Sequence, residues 1–252
     1  MSDDSSPAER VARRRRAVIW GGVAIPLLLY VIPYGHVVGR PLVWLSTLVH
    51  ELGHGITAWL VGGSFDHFVM FTDGSGVAHC NGQHEWGHAL TCAGGLVGPA
   101  LIAAIGFVVA RRERASQVGL GVVALALLVL TIAVAGNAFA WVFMLSIVAV
   151  LTWIVARRSA EPAQIATVFL SIQLALSVFS RGDYLFMREA TTGEGVSPSD
   201  VAIMSKMVGG PFWMWGLACG GFSILVLAAG LWLFTRGYLD LRWPRRKAVA
   251  AR

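Results

Sequence analysis

The chain has 252 residues, of which 56% are hydrophobic and only 13% charged, with a formal net charge of +6. That composition excludes an ordinary soluble domain and points to an integral membrane protein. The positive charge sits in arginine runs between apolar segments with no interleaved aromatics, which argues for loop charge beside acidic lipid and against a nucleic-acid partner. Cys80, Cys92 and Cys219 form no C-x-x-C pair, which argues against a thiolate metal cluster or a disulfide framework.

In chain order, residues 1–16 end in four arginines and are too short and too charged to fold alone. Residues 17–33 are apolar and about long enough to cross a bilayer, with a kink at Pro26. No small-residue cleavage site follows, so a retained span is expected rather than a signal peptide. Tyr30, Tyr34 and His36 mark an interface. A second apolar run, 41–61, has interfacial anchors in Trp44 and Trp59, and its only ionisable side chains are His50, Glu51 and His54 in the stretch HELGHG.

Two histidines four apart share one face of a helix, where both imidazoles reach a single metal ion. Glu51 lies beside them, placed to take a proton from water activated by that ion. Ionisable side chains within a span are costly and functional by default. Gly53 and Gly55 leave room beside the metal.

Hydropathy breaks from 62 to 88, where 65–71 and 76–80 read as two short strands around Asp73-Gly74, a β-hairpin directly after the metal helix. Residues 89–110 form the next span, with Gly94-Gly95 and Gly98-Pro99 near its start permitting close helix approach. Residues 117–135 and 138–156 read as a helical hairpin broken at Gly136-Asn137. Residues 163–180 form another span, 181–210 return to polar, glycine-rich loop, and 211–235 form the last span. The expectation is an all-α polytopic membrane protein of six to seven transmembrane helices with one short β-hairpin. A single transmembrane domain occupies 17–235, between a polar basic tail at 1–16 and a basic tail at 236–252. The arginines at 111–114, 157–158 and 236–247 fall on one side, placed in the cytoplasm. The N-terminal arginines join them only if one of the first three segments is re-entrant.

HELGHG in a span, a DGSGV-like strand after it and GGLVGP opening the next span together resemble the site-2 protease family of intramembrane zinc metalloproteases, over roughly 41–105. The resemblance implies a zinc cofactor held by His50 and His54, Glu51 as the catalytic base, and strands that hold a membrane-anchored protein substrate extended. It also implies a multi-pass protein, expected in the plasma membrane of a prokaryotic cell. Gly98-Pro99 matches the family's glycine-proline pair, without the asparagine that commonly follows. The family's third ligand, an aspartate in an N-P-x-x-x-D-G-type stretch, has no counterpart here. Asp183, at the end of a span, is the first candidate for it and Asp200 the second, while Asp73 suits a turn former. The hairpin can receive substrate by edge pairing, with a proline at Val69 expected to disrupt that edge.

A second match, His84-Glu85-Trp86-Gly87-His88, lies near His79 and Cys80. It offers a rival metal site, or groups that tune the first. Two other functions compete with proteolysis: a non-catalytic scaffold or regulator, favoured by the missing aspartate motif, and a metal transporter. The broken-helix symmetry that a transporter requires is not evident.

Overall fold

The computed structural model describes residues 39–238 except 181 and 183, together with scattered positions between 17 and 37. The expected span at 17–33 and both expected tails fall wholly or largely outside the described residues, as does Asp183. Helix α1, Arg40–Leu60, has Pro41 in its first turn, where the missing N–H costs nothing, and ends before Gly62 at φ 85°. Strands β1 (Ser64–Met70) and β2 (Gly76–Asn81) form an antiparallel hairpin. Then come α2 (Glu85–Val109), α3 (Glu113–Val134), α4 (Ala138–Val155) and α5 (Glu161–Ser180). A 3₁₀ turn, Tyr184–Phe186, leads to a second antiparallel hairpin of β3 (Glu189–Thr192) and β4 (Gly195–Pro198). Helices α6 (Asp200–Val208) and α7 (Phe212–Tyr238) complete the order.

Five helices among the described residues are long and apolar enough to cross a membrane: α2, α3, α4, α5 and α7. The protein is a multi-pass membrane protein. Helix α1 stands outside that set because His50, Glu51 and His54 interrupt its apolar run. Residues 184–210 depart from the loop expected over 181–210. Gly195 takes φ 121° at the tip of the second hairpin, and the Ser199 hydroxyl accepts from Ala202 N–H to start α6, with Asp200 in its first turn.

Helix α2 is central and touches α1, α5, α6 and α7. It runs antiparallel to α1: Val61 lies by Gly87, Thr57 by Gly94, and Gly53 and the Val49 carbonyl by Gly98. A Cβ on Gly53 would stand 2.5 Å from the Gly94 carbonyl oxygen, so the absence of side chains is what lets the two backbones meet. Gly230 of α7 packs on Ala104 and Phe234 on Phe107, so α7 runs parallel to α2. With α3, α4 and α5 alternating through short connections, the arginines at 111–114, 157–158 and 236 share one end of the bundle. Both hairpins and α6 lie towards the other.

The first hairpin folds back along α1 rather than projecting from it. Phe68 and Met70 are fully buried between α1 and the α3–α4 pair, and the tip reaches Thr47, whose hydroxyl donates to the Gly74 carbonyl at 2.6 Å. The outer edge of β1 is occupied. Gly136 N–H donates to the Phe68 carbonyl at 2.7 Å, the Asn137 amide donates to the Met70 carbonyl at 2.7 Å, and Asn137 also caps α4. Backbone groups alternate sides along a strand, so those of Val69 turn inward to Val77, its partner in register. A proline at Val69 therefore breaks the hairpin itself instead of testing an edge. Among the described residues the edge without a backbone partner is that of β2, where Gly76 and Ala78, opposite Met70 and Phe68, direct their backbone groups away from β1.

Candidate metal centre

His50 and His54 lie one turn apart on α1, and Asp200 reaches them from the first turn of α6. The two Nε2 atoms are 3.1 Å apart. Asp200 Oδ2 is 3.3 Å from His50 Nε2, and its Oδ1 is 3.5 Å from His54 Nε2. Among the described residues this is the one group of three or more His, Cys, Asp or Glu side chains that can hold a metal ion. His54 Nδ1 sits 2.9 Å from the Thr91 carbonyl of α2. A carbonyl only accepts, so Nδ1 carries the proton and Nε2 presents its lone pair to the centre.

The surroundings are built for these side chains. A Cβ on Gly95 of α2 would overlap the His54 ring, and one on Gly55 would overlap Phe65. Glu51 is 5% exposed, and a Cβ on Gly76 of β2 would come 2.9 Å from its Cγ. Asp200 is 8% exposed.

A cavity of about 540 Å³ opens onto His50 and Glu51. One wall is Gly74–Gly76 of the first hairpin, the other Ala190–Thr192 of the second. The two hairpins also meet beyond it. Gly193 N–H donates to Ser75 Oγ at 3.0 Å, and His79 Nε2 lies 3.2 Å from Glu194 Oε1.

The other candidate residues have different places. Asp73 Oδ1 accepts from the Ser75 N–H at 2.9 Å and its hydroxyl at 2.8 Å, and those bonds hold its carboxyl below the usual range, as in a turn former. In the rival motif, His84 is the extended N-cap of α2 and its Nδ1 accepts from Gly87 N–H at 3.2 Å, with Glu85 as the first helical residue. That motif spans a helix start, so its histidines do not share a helical face and do not join the metal group. Asp200 has a local signal, the Ser199-Asp200 helix start. Nothing local, however, tells that this start faces α1.

A family model described as Peptidase M50B-like matches residues 20–230. No curated protein and no solved structure gives a match. The model covers most of the chain, and the protein belongs to that family, the site-2 protease family of membrane metalloproteases.

Proposed function

We propose that this Peptidase M50B-like family member is an intramembrane zinc metalloprotease that hydrolyses peptide bonds of membrane-anchored protein substrates. His50, His54 and Asp200 are its ligands and Glu51 its base. The observation that carries the reading is the convergence of two imidazoles of α1 and a carboxylate of α6 beside a buried glutamate. The donor set suits zinc: donors 2.0–2.2 Å from a tetrahedral ion lie roughly 3.3–3.6 Å from one another, and here the two Nε2 atoms are 3.1 Å apart with Asp200 Oδ2 3.3 Å from that of His50. Three protein ligands leave one position for water, as catalytic sites require.

Zinc bound there supplies Lewis acidity, lowering the pKa of water and polarising the scissile carbonyl. Glu51 accepts the proton of the attacking water and returns it to the leaving nitrogen as the C–N bond breaks. Thr91 fixes the His54 tautomer. A substrate helix must unwind first, because its carbonyls are engaged in its own hydrogen bonds. The cavity between β2 and β3 accommodates the unwound segment, and the outward backbone groups of Gly76 and Ala78 offer it an edge.

The test pairs Glu51→Gln with Glu85→Gln in the full chain, reconstituted in proteoliposomes with single-span reporter proteins. Glu51→Gln should lower cleavage by about 10²–10⁴-fold while zinc content stays at the wild-type level, and Glu85→Gln should change neither. Cleavage indifferent to Glu51, or wild-type protein that holds no zinc, would point to a scaffold and end this reading.

A further inference from the structure

We infer that Tyr184 is a positioning residue that holds Asp200 in the ligand set, an inference that rests on the metal-centre reading above. Tyr184 opens the 3₁₀ turn after α5, and the second hairpin then carries the chain back so that Asp200 arrives beside it. Its hydroxyl lies 3.3 Å from Asp200 Oδ2, the oxygen that faces His50. An ionised carboxylate only accepts, so the phenol donates. The ring also meets the His50 imidazole edge-on, with centroids 6.0 Å apart.

One side chain thus engages the carboxylate of one ligand and the ring of another. The division of labour with Ser199 is clear. Ser199 Oγ donates to the Met187 carbonyl at 2.6 Å and caps α6, which fixes where the helix starts. It does nothing for the carboxylate, whose terminal torsion is broad and two-fold. The Tyr184 hydroxyl restricts that torsion, so that the Asp200 oxygens meet the imidazoles in one orientation.

Tyr184→Phe removes the hydroxyl and keeps the ring. The full-length variant, purified in detergent, is titrated with zinc against a competing chelator beside wild type, Asp200→Asn, His50→Ala and the double variant Tyr184→Phe/Asp200→Asn. Zinc affinity should fall about 10–100-fold, the usual effect of losing a ligand's outer partner, and cleavage should recover at saturating zinc. The double variant should bind no more weakly than Asp200→Asn, because the hydroxyl acts through that carboxylate. Phe186→Leu, which perturbs the same turn without touching Asp200, should leave affinity unchanged and separates positioning from loss of fold. Wild-type affinity in Tyr184→Phe, or additive losses in the double variant, would overturn the inference while leaving the metal centre intact. Unaltered affinity in His50→Ala would instead remove the centre itself.

Discussion

At Gly95 a single added methyl would fall on the His54 imidazole, and the α1–α2 interface offers no room to retreat because Gly53 and Gly94 already bring the backbones together. Gly95→Ala should therefore displace the His54 ring and weaken zinc binding at least tenfold. Overpacking should also lower stability by about 1–3 kcal/mol. Chelator competition and thermal unfolding measure the two effects, and an alanine variant with wild-type zinc affinity would contradict the packing described. His50, Glu51 and His54 were legible in the sequence because the helical repeat puts imidazoles four apart on one face. Asp200 was legible only as one of several carboxylates, since its distance from α1 is set by how α2, α6 and α7 pack. Tyr184 gave no signal, because an aromatic residue next to a span reads first as an interfacial anchor.

Among the elements, the first hairpin matched its expected strands closely, through the Asp73-Gly74 turn and the alternation that buries Phe68 and Met70. Which edge it leaves open was not legible. That depends on the α3–α4 turn, where Gly136 and Asn137 bind Phe68 and Met70 and so close β1. Ala78→Pro removes an outward N–H of β2 without touching the ladder to β1. Cleavage should fall by about two- to tenfold, the equivalent of one net hydrogen bond, with zinc content and melting temperature retained. Val69→Pro should instead destabilise the hairpin and lower the melting temperature. If Ala78→Pro cleaves the reporters as wild type does, β2 is not the receiving edge.

For the whole molecule, the proposed ion joins α1 to α6, two elements otherwise linked through α2. Binding to the folded state alone adds about 2.7 kcal/mol of stability at a free ion concentration 100 times the Kd. Metal-stripped protein should melt at a lower temperature, zinc should restore it, and His50→Ala should melt alike with and without zinc. Equal melting of stripped and reloaded wild type would show that the ion does not bridge those helices. Low pH should act in the same direction as chelation, because ligand imidazoles must be neutral to bind and protonation competes with the metal.

The sequence by itself determined the membrane setting, the order of the spans over the described residues, the first hairpin and the paired imidazoles with their glutamate. Each of these follows from hydropathy or from a repeat within a few residues. Tertiary structure alone decided that 189–208 folds into a hairpin and a capped helix, that this segment delivers Asp200 to His50 and His54, and that β2 rather than β1 has the open edge. The physical reason is range: local periodicity specifies which face a side chain occupies, whereas its partner across the bundle is fixed by glycine contacts and packing between segments distant in the chain.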